Sequence, residues 1–215
     1  QISMRLRSLA LLGLAARSCY GRQLAPTREL ASWSLRGGAS SLTAAPPVED
    51  ASAAPPEWLT PGHPVLTLEA ADAMATAALA EAKERKFKDI SVTVMDASGR
   101  VLVCKTMLGC PRLIPEMARA KAGAAIGTHA ASRALVDKYV PDRMAQLLAM
   151  TTLANANQQP FVAVPGGVLC RDAEQNVIGA IGVSGASADE DEHCAVVGAQ
   201  AVGLITEPAQ SPLQS

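Results

Sequence analysis

PGGVLCRDAEQNVIGAIGVSG, residues 165–185, sets two glycine clusters on either side of an apolar run and stops just before a strongly acidic helix start. Its glycines either cradle a ligand or let the backbone pass close to another element, and the fold follows from which. A dinucleotide-binding turn needs G-x-G-x-x-G between a strand and a helix, whereas Gly179, Gly182 and Gly185 stand at G-x-x-G-x-x-G. The helix predicted to follow carries Asp189, Glu190, Asp191 and Glu192 in its first turn. Those carboxylates already compensate the helix N-terminus, so a phosphate would meet like charge there. GVSG around Ser184 also lacks the G-x-S-x-G spacing of a nucleophile elbow. Gly179 and Gly182 are therefore expected in a strand packed closely beneath a helix. The stretch reads as a hairpin: GGVLCRD, the turn AEQN, then VIGAIGVSG.

Working outward, Ser187 and Glu190 form a capping box, so a helix begins near Ala188 and runs through CAVVGAQAVGL. Upstream, DISVTVMDASGRVLVCKTM predicts a second hairpin turning at Asp96–Gly99. Before it, Thr67 can cap an amphipathic helix whose apolar face is Leu68, Ala71, Ala75, Ala78 and Ala82. IPEMARAKAGAAIG is helical, with Pro115 in its first turn, and SRALVDKYVPDRMAQLLAM predicts two short helices broken at Pro141. The order helix, hairpin, helices, hairpin, helix implies an α+β domain, an antiparallel sheet of two β-hairpins covered by helices.

The first 48 residues hold six arginines and one acid, Glu29, while the remaining 13 basic residues face 19 acids, a net of −6. A body of that sign repels phosphate backbones, and with aromatics at 3% it offers few stacking surfaces, so nucleic acid is not an expected partner. Residues 1–36, rich in Arg, Leu and Ala, read as a targeting peptide. Mitochondrial import, plastid import and secretion all fit, the mitochondrion first. The apolar run Leu9–Ala16 is too short to span a membrane. Residues 37–64 read as a Pro/Ala/Ser-rich linker, 65–206 as the folded domain and 207–215 as a C-terminal tail. Five cysteines without a C-x-x-C pair argue against a disulfide framework or structural zinc, and favour buried reduced thiols.

No two of His63, His129 and His193 stand four apart, which disfavours a zinc hydrolase. His193, beside Cys194 and one turn from Asp189 and Glu190, is either a haem-iron or metal ligand or a surface histidine in an acidic cap. His129 falls at a helix end, a second candidate iron ligand. Pro165, Gly166 and Gly167 form a loop whose backbone N–H groups can admit a carboxylate or carbonyl. Lys121, inside an alanine-rich run, either snorkels to solvent or turns toward that loop and supplies positive charge.

VTVMDASGRVLV, ARAKAGAA, VPGGV and GAIGVSGASADEDE resemble the GlcG/HbpS family over roughly residues 66–204. Its domain also occurs at the C-terminus of some cobalamin adenosyltransferases. The resemblance implies a profilin-like α+β domain, homo-oligomeric assembly and small-ligand binding, haem in some relatives. It also places Lys121 and Pro165–Gly167 in the pocket. One relative is an extracellular redox-sensing partner of a two-component system, and others lie in glycolate-utilisation operons. Three classes follow: a non-enzymatic binding protein, foremost; an accessory subunit of an organellar complex; and an enzyme on a small 2-hydroxy or 2-oxo acid. For the last, no nucleophile–base or acid–base pair can be identified.

Overall fold

In the computed structural model, Gly62 and residues 64–214 are described. The expected targeting peptide 1–36, most of the linker, His63 and Cys19 lie outside the described residues.

Thr67 caps the first helix, α1 (Leu68–Glu84), its hydroxyl accepting from the Ala70 N–H at 3.2 Å. The buried face is Ala71, Met74, Ala75, Ala78 and Ala82; Leu68, expected on it, is 57% exposed because the stripe starts one turn later. Strands β1 (Ser91–Asp96) and β2 (Val101–Thr106) form the first hairpin. At its turn the Asp96 carboxylate accepts from Ser98 N–H, Ser98 Oγ and Arg100 N–H, and the Arg100 guanidinium closes the ring at 2.8 Å. Helices α2 (Ile114–Thr128), α3 (Ser132–Tyr139) and α4 (Met144–Ala156) follow, with Pro141 between α3 and α4 as expected. The second hairpin is β3 (Gly167–Arg171) and β4 (Val177–Ser184). Helix α5 (Ala188–Gln200) starts on the predicted capping box of Ser187 and Glu190.

The five-stranded antiparallel sheet runs β2-β1-β4-β3-β5, so the hairpins join through β1 and β4 at its centre. Both central strands are buried on both faces, with side chains alternating between two cores. Val92, Val94, Val168, Ile181 and Val183 face α1 and α5, while Met95, Leu169 and Ala180 face α2. The fifth strand, β5 (Ile205–Glu207), was not foreseen; it pairs with β3 and carries the chain into the segment expected as a tail. That segment is anchored, because Ser211 is buried against His193.

Gly167 and Gly182 are register partners on the face that α2 covers. A Cβ on Gly182 would lie 2.1 Å from the Ala118 carbonyl oxygen, and one on Gly167 would lie 2.2 Å from that of Lys121. These glycines let the α2 backbone rest directly on the sheet, as expected for Gly182; Gly179, three residues away, points to the opposite face, where a Cβ would meet the Met95 carbonyl oxygen of β1 and Leu66 rather than a helix.

Candidate functional site

Close seating of α2 drives Lys121 into the protein. Its amine, 2% exposed with the rest of the side chain, donates to Asp191 Oδ2 at 2.7 Å and to the Val183 carbonyl at 2.9 Å. The Lys121 amine also lies 3.0 Å from the position a Gly166 Cβ would take, and Gly166 has φ +116°, open only to glycine. Lys121 and the Pro-Gly-Gly loop are thus brought together, and the snorkelling alternative is excluded. The loop is itself tied down. The Gly166 carbonyl accepts from Val183 N–H at 2.8 Å, and Gly167 N–H donates to Ser132 Oγ at 2.8 Å. The Ser132 hydroxyl in turn donates to the Val164 carbonyl at 2.7 Å, and Pro165 is half-buried. The lysine charge is met by Asp191, and the Gly167 amide by Ser132.

Two of the four cap acids therefore turn inward rather than to solvent. Burial pushes the Asp191 carboxyl above the usual range, against the opposing pull of Lys121 and of the Ala186 and Gly185 N–H groups. Burial likewise raises Glu192, whose Oε1 accepts from Arg133 Nε at 2.8 Å. Arg133 also pairs with Asp189. Ser132 and Arg133 were missed in the sequence, since nothing in a lone Ser-Arg pair at a helix start marks partners 32 and 35 residues on for the serine and 56 and 59 for the arginine.

His193 fits neither sequence expectation. It is buried, and each ring nitrogen already has a partner: Nδ1 lies 2.7 Å from Ser211 Oγ and Nε2 lies 2.8 Å from Glu81 Oε1. An imidazole protonated at Nε2 satisfies both, donating to the carboxylate and accepting from the serine. That hydrogen bond from His193, reinforced by Arg85 against burial, holds the Glu81 carboxyl below its ordinary range. With both nitrogens engaged inside the fold, His193 is not placed to ligate iron. His129 is the opposite case: it is exposed, at the C-cap of α2 with φ 51°. No group of three or more His, Cys, Asp or Glu among the described residues could hold a metal ion.

The open space lies on the other side of α2. A cleft of about 440 Å³ runs between α2, α4 and the first hairpin turn. Its walls are Ile126, Met150, Leu153 and Phe161, and its floor includes Gly127, where an added Cβ would meet nothing within 4 Å. Helix α4 is apolar yet buries none of its residues fully. It leans on Leu135 and Tyr139 through Leu147 and Met150, which leaves Leu153 facing the cleft.

A sequence profile described as "Haem degrading protein HbpS-like" matches residues 66–200, well over half the chain. The chain belongs to the HbpS-like family. A crystal structure of HbpS is 31% identical, covering 70% of this chain and 99% of its own, at a TM-score of 0.57. The Klebsiella pneumoniae protein ORFY is 25% identical over 67% of this chain and 96% of its own, at a TM-score of 0.57. A PduOC:haem complex, 24% identical over 66% of this chain and 99% of its own, shares the fold at a TM-score of 0.58. No curated protein matches the chain.

The family implies haem, and this chain's residues fit it at the α2–α4 cleft. The volume lies in the range of small-molecule sites, the walls are largely apolar, and Met150, an iron-ligating residue type, is among the lining residues. His129 is exposed directly after Thr128, a lining residue, and the thioether-bearing Met150 lines the wall. Haem bound there would supply a redox-active iron. The protein's part would be to cover one face of the macrocycle with Ile126, Leu153 and Phe161.

Proposed function

We propose that this protein is a non-enzymatic haem-binding protein of the HbpS-like family, holding the group in the α2–α4 cleft with His129 as iron ligand. The cleft carries this reading: it is a largely apolar space whose lining residue Thr128 immediately precedes the exposed His129, whereas His193 and Lys121 are already paired within the fold. Family membership supplies the ligand class. Lys121 and the Pro-Gly-Gly loop serve the site by fixing α2, the cleft's inner wall, to the sheet.

Haemin titration of the full chain tests this. The expected result is a saturable shift of the Soret band whose position changes in His129→Ala. Binding should also weaken severalfold in Gly127→Leu, which fills the cleft from an open position. A Soret response identical in all three proteins would place the ligand elsewhere.

The protein is further proposed to assemble with copies of itself through the outer face of α4, where Met144 and Leu148 are 51% and 67% exposed. Light scattering of the wild type and of Leu148→Glu reads this directly. Import into an organelle, the mitochondrion first, rests on residues 1–36 and is tested by fusing them to a fluorescent reporter.

A further inference from the structure

A second cleft, of about 610 Å³, adjoins the first and shares Gln159, Pro160 and Phe161 with it. The two lie along one stripe of α2. Glu116, Arg119 and Ala120 line the second, and Gly123, Ile126 and Gly127 line the first, at the three- and four-residue spacings of a single helix face. The ridge between them is held close to the helix, because Gly123 leaves room for the Pro160 carbonyl and Val162 N–H donates to the Ala120 carbonyl at 3.2 Å. The chemistry changes across that ridge. The first cleft is apolar, while the second carries the Thr151 and Thr152 hydroxyls, the Asn155 and Gln158 amides, and Arg119. Among the described residues lining either cleft, Arg119 is the only cation, and Glu116 the only acid. Their ion pair is loose, 3.8 Å between half-exposed and exposed side chains, so the guanidinium is open to a better partner.

We infer that the second cleft is a carboxylate-binding annex of the first, with Arg119 receiving the acid group of an amphipathic ligand whose apolar body lies against Ile126, Leu153 and Phe161. Eight residues separate Arg119 from Gly127, ~12 Å along the helix axis. The two recognition elements therefore stand a molecule's length apart on a rigid support. A guanidinium presents paired N–H donors that match a carboxylate, and the Thr152 hydroxyl and the amides can bond its second oxygen, the Thr151 hydroxyl already donating to the Leu147 carbonyl. Glu116 acts against the ligand, since it competes for Arg119 and repels an acid.

This inference rests on the proposal that the first cleft binds haem, and one titration series separates the two. Haemin and its propionate dimethyl ester are titrated into the full-length wild type, Arg119→Gln and Glu116→Gln, with circular dichroism verifying the fold of each. Arg119→Gln should weaken haemin binding about tenfold, the loss of one charged hydrogen-bonded contact. It should leave the weaker binding of the ester unchanged, and Glu116→Gln should tighten haemin binding severalfold. Equal affinity of wild type and Arg119→Gln for haemin, or of the wild type for haemin and ester, overturns the annex while the haem reading stands. Absence of haemin binding to the wild type overturns both.

Discussion

Replacing Gly182 by alanine adds one methyl group where the structure has no room for it. The new Cβ would lie 2.1 Å from the Ala118 carbonyl oxygen and 2.6 Å from the Ala122 nitrogen, both backbone atoms of α2. Ordinary contact needs ~3.5 Å, so the helix would have to lift by more than ~1 Å. It cannot lift alone, because Lys121 on the same helix is bonded to the Val183 carbonyl, one residue along, and to Asp191. Overpacking of this kind costs about 1–3 kcal/mol, and stretching a buried ion pair adds to it; alanine's advantage over glycine in a strand returns only ~0.5–1 kcal/mol. The expected loss is about 3 kcal/mol, a fall in Tm of roughly 6–12 °C for a domain of this size. Gly127→Ala is the matched control, since its Cβ meets nothing within 4 Å. Removing a helical glycine should leave stability unchanged or raise it by up to about 1 kcal/mol. Urea unfolding of the three proteins gives both signs. Gly182→Ala within ~0.5 kcal/mol of wild type would refute the reading of these glycines as the seat of α2.

Lys121→Met leaves the Asp191 carboxyl buried without its cation and should cost about 3–5 kcal/mol, with much of the loss recovered in Lys121→Met/Asp191→Asn; a loss below ~1 kcal/mol in urea unfolding contradicts the burial of the pair. At Asp96 burial pushes the pKa up, but the hydrogen bonds from Ser98 and Arg100 outweigh it and hold the carboxyl below its ordinary range. Its stabilisation is therefore present above the unfolded aspartate value of about 3.9 and is lost as the pH falls through the lower folded value. Asp96→Asn should flatten the acid limb of the stability profile, and an unchanged limb would show that the turn does not bind the charged form. Burial raises the Cys170 and Cys194 thiols to about 12 each. Peptide mapping after alkylation at pH 8 should find Cys104, which is exposed, modified in the native protein, and Cys170 and Cys194 only after denaturation.

The local elements were legible because each carries its own chemistry: Thr67 as a cap, the Ser187–Glu190 box, Asp96–Gly99 as a turn. The joining of β1 to β4 was not. Both strands are buried on both faces, so no polar edge marks which strand of each hairpin lies inside. Strand β5 is three residues long, too short for any alternation to register. At the site, the family resemblance and the Pro-Gly-Gly loop directed attention to Lys121, and the structure does set the two side by side. What the sequence concealed was the partner. Asp189 to Glu192 read as carboxylates compensating a helix N-terminus, with nothing to set one apart from another, yet α5 packs so that Asp191 and Glu192 lie inside. The clefts left no pattern, because they arise from side chains that are missing, at Gly127 beside open space and at Gly123, where the Pro160 carbonyl seats against α2 as the ridge between them.

With one flank of α2 clamped to the sheet through two side-chain-free positions and an ion pair, the wall it presents to the clefts has almost no freedom to adjust. Across the gap, α4 buries no residue fully and rests on little more than Leu147 and Met150. Any adjustment to a guest is therefore expected of that outer helix, the less anchored of the two walls.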